Sequence, residues 1–408
     1  MQINSNYILV DTPKALDLAL INLKQSKILS IDTESSGYYT YYPRVCLIQI
    51  NSNGKNYLID PLRIPNLTSL SPLFVDSNIL KLFHSAQDDI KALKRDFGFQ
   101  FVNVADTMIS SRLLSMEQSS LSFLVEFFHK VTLSKVEQKS NWEIRPLQKQ
   151  QLKYAALDTA YLESIWQKME EDLKKRNLYE EAKSEFEFIA NEEFVAKEGE
   201  GFSLGKFPDI LNFTPLERRK ILELLRYRDE KAKRINKASF RVFGNDKLSQ
   251  AVKEEPNEAK CIERFGKKDG EVIYKLLIAE YNDPIDTSEL SKRHGEDLNE
   301  EEDKKFQNAK KWRLRIMRVR RMEHSLLPSN KQLIAVLKAN PQNLEELRAL
   351  KVFSDWKVDN YGPSLLAALQ GISFDNMLGR LVAVRSKEAF VAKRRKKQNQ
   401  ASRDKDEA

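Results

Sequence analysis

Strand-length apolar runs crowd the beginning of this chain and then stop. ILSID (28–32), VCLIQI (45–50), NYLID (56–60) and LKLFH (80–84) all have strand length and composition. From about residue 145 onward such runs almost disappear, and long helical periodicities replace them. A chain built this way folds as an α/β unit with a helical remainder. Ser52-Asn53-Gly54 supplies turn chemistry between the second and third runs, which predicts a hairpin. DDIKALKRDFG (88–98) reads as a helix with Ile90, Leu93 and Phe97 on one face and Gly98 as its stop. A further strand is expected near FVNVAD (101–106), giving a sheet of mixed strand direction flanked by helices.

The helical remainder repeats itself at an offset of 85 residues. YRDEKAKRINKASFRVFGNDKLSQAVKEEP (227–256) lies over WRLRIMRVRRMEHSLLPSNKQLIAVLKANP (312–341). Arg228 falls on Arg313, Asn245 on Asn330, Leu248 on Leu333, Lys253 on Lys338 and Pro256 on Pro341. A register held this long predicts two copies of one helical module. KEGEGFSLGKFPD (197–209) reads as a linker, because its glycines lack the spacing and the preceding strand of a dinucleotide fingerprint. The polar segment 283–303 reads as a second linker. The domains expected are therefore 1–203, 210–284 and 303–372, followed by a C-terminal segment, 373–408, with a basic tail.

Composition removes several classes. No run of about 18 apolar residues exists, and the N-terminus lacks the charged and apolar regions of a secretory signal, so neither a membrane span nor export is expected. Two cysteines, Cys46 and Cys261, cannot make a disulfide framework or a structural zinc site, which fits a reducing, cytoplasmic setting. The net charge of +8 favours a polyanionic partner.

The chemistry lies in acids. ILSID ends in Asp32-Thr33-Glu34, and positions two apart on a strand share a face, so Asp32 and Glu34 point the same way. Asp89 opens the helix after LKLFHSAQD, with Asp88 as the fallback register. Tyr154 and Asp158 in YAALDTAYL are four apart and share a helix face. Acids converging from separate elements repel one another unless divalent cations hold them. Hard cations take carboxylate oxygens, and a pair of them can clamp a displacement at phosphorus. The Tyr154 hydroxyl would orient the attacking water. No GxxxxGK[ST], GxSxG or HExxH motif offers rival chemistry, and the four histidines are scattered.

Three segments carry a resemblance. IDTESSGYYTYYPRVCLIQI (31–50), FHSAQDDIKAL (83–93) and NWEIRPLQKQQLKYAALDTAYL (141–162) resemble, in order, the three motifs of ribonuclease D, a family of the DEDD superfamily of 3′→5′ exonucleases. Lys153 and the Tyr-x3-Asp spacing match the tyrosine branch, and Asn141 departs from the aspartate common there. Both helical repeats resemble HRDC modules. The resemblance implies a ribonuclease H-like mixed sheet flanked by helices and followed by two all-α HRDC-like domains. It further implies Asp32, Glu34, Asp89 and Asp158 as ligands of two divalent ions (Mg²⁺ or Mn²⁺), and Tyr154 as a catalytic residue. The expected activity is trimming of structured RNA 3′ ends, such as tRNA precursors, to nucleoside 5′-monophosphates by a monomer that needs no membrane. A 3′→5′ exodeoxyribonuclease acting on DNA and a silent RNA-binding scaffold are the alternatives.

Other residues carry plainer expectations. Trp142, Tyr161 and Trp166 are expected in the core, Cys46 as a packed small hydrophobe, and His84 as a hydrogen-bonded strand end. KKWRLRIMRVRR (310–321) is read as a phosphate-contacting stripe through Arg313, Arg320 and Arg321, beside Lys310. KRRKK (393–397) reads as a generic basic tail.

Overall fold

A computed structural model describes residues 6–194, 202–287, 298–322, 324–379 and 381. The basic tail and Gly199 and Gly201 lie outside the described residues. The first part of the chain runs β1 (Tyr7–Val10), α1 (Pro13–Leu23), β2 (Ile28–Ser35), β3 (Val45–Ser52), β4 (Lys55–Ile59), α2 (Ser71–Val75), β5 (Leu80–Phe83), α3 (Ala86–Phe97), β6 (Val104–Asp106), α4 (Thr107–Leu113) and α5 (Leu121–His129). Three longer helices follow: α6 (Lys149–Ala160), α7 (Leu162–Lys175) and α8 (Tyr179–Asn191).

The six strands form one sheet in the order β1-β4-β3-β2-β5-β6. β3 pairs antiparallel with both β2 and β4, whereas β1–β4, β2–β5 and β5–β6 are parallel, so the sheet is mixed as expected. The β3–β4 hairpin turns through Asn53 and Gly54, both at positive φ (49° and 74°), which are the signs a two-residue turn of this hand needs. β1 was not legible as a strand. It is four residues at the sheet edge with only Val10 buried, so it lacks an alternating pattern.

β2 alternates across the sheet. Leu29 and Ile31 pack into the core that contains Ile90 and Leu93 of α3. Asp32 and Glu34 therefore face the other side, where α6 crosses β2, β3 and β4. β5 pairs only with residues 28–30, so the acidic end of β2 outruns its parallel neighbour and opens a cleft at the sheet's end.

The helical remainder has two modules of one plan. The first is α9 (Pro215–Arg234), α10 (Ser239–Val242), α11 (Asn245–Lys253), α12 (Glu258–Phe265) and α13 (Lys267–Ile278). The second is α14 (Glu300–Arg320), α15 (Asn330–Ala339), α16 (Leu344–Ala349) and α17 (Asp355–Leu369). The repeat is structural. Arg228 donates to Phe243 O (3.0 Å) and Asn245 Oδ1 (2.8 Å), and Arg313 donates to Pro328 O (2.9 Å) and Asn330 Oδ1 (2.8 Å).

Three expectations change. Phe202, Leu204 and Phe207 pack into the first module's core, so the described part of 197–209 belongs to that module instead of linking to it. Ile285 is buried and bonds Pro215 O, carrying the same module past residue 284. The basic run 310–321 is open only in part. Arg313 is committed to its own module, and Arg320 is fully buried against Glu181 of α8 at 2.5 Å, beneath the ring of Trp356. Arg321 closes α14 in a left-handed conformation. Two of its cations serve internal partners, Arg313 within its module and Arg320 on Glu181, whereas Arg315 and Arg318 stay exposed.

The second module is fused to the sheet-bearing unit. Trp312, Leu337 and Tyr361 share one continuous core with Leu82, Trp166, Leu173 and Phe186. Lys357 pairs with Glu185 at 2.7 Å, and the Trp356 amide donates to Ser184 Oγ at 3.0 Å. The first module instead keeps a core of its own. Among the described residues, no helix is long and apolar enough to cross a membrane.

Candidate active site

Two helices and one strand deliver the acids. Asp32 and Glu34 stand on the α6 face of β2, and α6 lays Asp158 over them. Carboxylate oxygens of these three residues lie within 4.8 Å of one another. Asp89 arrives by a different route. It sits in the first turn of α3, on the opposite layer, and approaches round the end of β2. There it accepts a hydrogen bond from Thr33 Oγ1 at 2.5 Å, Thr33 being the residue of β2 that faces α3. Asp88 is exposed.

The placement of α3 rests on Asp106. Its buried carboxylate accepts from the backbone amides of Ser85 (3.1 Å) and Ala86 (2.8 Å) at the start of α3, and from Met108 (2.6 Å) and Ile109 (3.2 Å) at the start of α4. Four amides that the helix ends would leave unpaired are thereby satisfied by one side chain. α6 is placed from the other side: Arg145, four residues upstream of it, grips Asp60 at 2.6 and 2.8 Å and bonds the carbonyls of Trp142 and Cys46. Neither Asp106 nor Arg145 was singled out in the sequence. The only signal for Asp106 was a helix-capping aspartate before Thr107.

Electrostatics record the crowding. Burial raises Asp32 to about 7. Burial, then the charges of Asp32, Asp158 and Asp89, push Glu34 well above the usual carboxylate range. Asp89 and Asp158 are raised by burial first and by Asp32 second. Tyr154 hydrogen-bonds Asp158, and burial with the neighbouring acids holds its phenol protonated throughout the working range. Trp142, buried as expected, lies 6.2 Å from the Tyr154 ring. Tyr161 and Trp166 are core residues, and Cys46 is buried. His84 Nδ1 pairs with Thr107 Oγ1 at 2.9 Å, a structural bond at the end of β5.

The site fits a divalent cation. All its donors are carboxylate oxygens, the set that hard cations prefer, and nothing cationic in the described chain is paired with them. Beside Asp32, across the β2–β3 ladder, Gln49 is fully buried with both amide atoms unpartnered, so the protein spends further polar capacity under the same spot.

Residues 7–174 match the family described as a 3′-5′ exonuclease, and residues 302–369 match the HRDC domain. The exosome complex exonuclease RRP6 of Saccharomyces cerevisiae is 37% identical over 190 residues, which are 44% of this chain and 26% of that protein. The human exosome complex component 10 is 34% identical over 162 residues, 40% of this chain and 18% of that one. This chain thus spans well under two thirds of the length of these relatives. Among solved structures, Escherichia coli RNase D superposes with a TM-score of 0.59 at 22% identity, covering 90% of this chain and 99% of that one. A Bifidobacterium adolescentis protein gives 0.65 at 19%, covering 91% and 98%. At these identities the likeness shows the fold, and it extends over both helical modules.

Proposed function

We propose, from the premise that residues 7–174 belong to the 3′-5′ exonuclease family and residues 302–369 to the HRDC family, that this chain is a divalent-metal-dependent exoribonuclease. It trims structured RNA 3′ ends, tRNA precursors among them, and releases nucleoside 5′-monophosphates. The observation that carries the reading is the meeting of Asp32, Glu34 and Asp158 within 4.8 Å, with Tyr154 bonded to the last of them.

Asp32, Glu34, Asp89 and Asp158 would hold two ions, Mg²⁺ or Mn²⁺. When bound, such ions lower the pKa of water and neutralise charge at a displaced phosphate. The chain's own residues supply the rest. The Tyr154 hydroxyl donates to Asp158, which leaves its oxygen lone pairs to accept from a water and aim that water at phosphorus. The water oxygen forms the new P–O bond and gives up a proton to solvent, the bond from phosphorus to the 3′ oxygen breaks, and that oxygen takes a proton from solvent as the shortened RNA leaves. Because the phenol stays protonated, this orientation persists across the working pH range.

The bacterial structure's title, an exoribonuclease involved in structured RNA processing, supports RNA as substrate, and the yeast relative's name, an exosome complex exonuclease, adds work beside an exosome to the range of roles. The test uses 5′-labelled RNA and DNA oligomers with free and blocked 3′ ends, with Mg²⁺, Mn²⁺ or EDTA. Stepwise shortening of RNA from a free 3′ end, abolished by EDTA, is expected. Preference for DNA would instead make it an exodeoxyribonuclease, and inertness toward both would make it a scaffold.

A further inference from the structure

The loop that follows the catalytic strand touches the first helical module at several points. The Ala238 amide bonds Tyr39 O at 3.0 Å, the Tyr42 amide bonds Asn236 Oδ1 at 3.0 Å, and Tyr41 Oη donates to Asp229 at 3.2 Å. Arg241 donates to Tyr38 O at 2.7 Å and lies 3.8 Å above the Tyr39 ring. These contacts wall a cleft of about 510 Å³ lined by Tyr42, Tyr227, Glu230, Lys231, Lys233 and Arg234.

The cleft opens on the loop that leaves the acid-bearing strand. The Ser36 amide, two residues after Glu34, donates to Arg44 O, and the Arg44 amide donates to Ser36 Oγ, so the loop doubles back and Tyr42 stays near the end of β2. Its lining has the two ingredients of single-strand binding. Tyr42 is 60% exposed, and its backbone is pinned by Asn236. Arg234 is exposed and forms no ion pair among the described residues. Lys231 and Lys233 flank it, each already balanced by an aspartate, Asp269 and Asp229. Tyr227 is held in place by its bond to Asp269 at 2.7 Å and by Phe243.

We propose that this junction is the path of single-stranded RNA upstream of the scissile bond, with a base stacking on Tyr42 and a phosphate on Arg234. The proposal rests on the exoribonuclease reading for the identity of the strand. The surface itself argues for the class: a pinned, exposed aromatic beside an unpaired guanidinium suits a π-face followed by a phosphate. It also moves substrate capture from the basic run 310–321, where Arg313 and Arg320 are buried on internal partners, to the first module.

The test is binding of a fluorescent twelve-nucleotide oligoadenylate to the full chain in EDTA, where no turnover occurs. Tyr42→Ala should weaken affinity about tenfold with an unchanged salt slope, since stacking does not release counterions. Arg234→Ala should weaken it and flatten the slope of log affinity against log salt by about 0.7. Arg234→Glu should lose more than Lys260→Glu, which makes the same charge change on an exposed face of the same module. The proposal is overturned if both cleft variants bind as the unaltered chain does, or if Lys260→Glu loses as much as Arg234→Glu. A chain that binds through the cleft yet hydrolyses no RNA in Mg²⁺ or Mn²⁺ would sink the exoribonuclease reading while leaving the cleft in place.

Discussion

Arg228 and Arg313 stand at equivalent positions of two modules and hold the same two atoms. Each guanidinium reaches the carbonyl two residues before a helix and the side-chain oxygen of an asparagine that begins it. The long helix of each module, α9 or α14, is thereby latched to the head of α11 or α15 by an arginine that is 7% exposed in both cases. A charge-assisted bond of this kind to a buried partner is worth more than a surface contact.

Replacing either arginine with alanine should therefore cost stability and not affinity. About 1.5–3 kcal/mol of unfolding free energy per latch is expected from urea melts. For Arg313→Ala the RNA affinity and its salt slope should stay unaltered, provided the measurement is made where the protein remains folded.

A second prediction concerns Arg320 and Glu181. Both are almost fully buried, and burial keeps Glu181 raised even beside its partner. Arg320→Met strands a buried acid and should cost roughly 3–5 kcal/mol, whereas Arg320→Met with Glu181→Leu should recover much of it. Differential unfolding of the two variants checks this. A chain cut after residue 194 should lose solubility for the related reason that it bares the apolar face the second module covers.

A third prediction follows from the acids. Asp32 titrates near 7 in the folded chain against 3.8 as its ordinary value, so the folded state binds more protons between those limits. Metal-free protein should lose stability as pH rises through that window. Asp32→Asn should flatten the loss, raise the Tm in EDTA at pH 8 and abolish hydrolysis. Added Mg²⁺ should stabilise the parent chain above pH 7 and the variant much less.

A fourth concerns Tyr154. Tyr154→Phe keeps the ring beside Trp142 and removes the hydroxyl, so kcat should fall roughly 10²–10⁴-fold with KM and Tm little changed. Steady-state kinetics on a short unstructured RNA would separate this from a packing defect, which would shift Tm.

Much of this was readable in the chain. The period of two in ILSIDTE put Asp32 and Glu34 on one face, and the four-residue step put Tyr154 with Asp158; both relations are local and survive folding unchanged. The repeat was visible because Arg228, Asn245 and their counterparts keep one register. What escaped was non-local. Asp89 reaches the site from the opposite layer through a bond to Thr33 that no periodicity announces. Arg320 looked available because its partner, Glu181, lies 139 residues away. Phe202 and Phe207 looked like linker because their core is assembled by helices that come later.

Asp106 is not one of the clustered acids, yet it fixes the head of α3, the helix that brings one of them in. One carboxylate collects amides from the heads of α3 and α4, and α3 carries Asp89 three residues further on. A change at Asp106 should therefore masquerade as damage to the active centre. Inactivating substitutions sorted only by distance from the acids would file it as a distant folding lesion, although what it controls is the reach of one ligand.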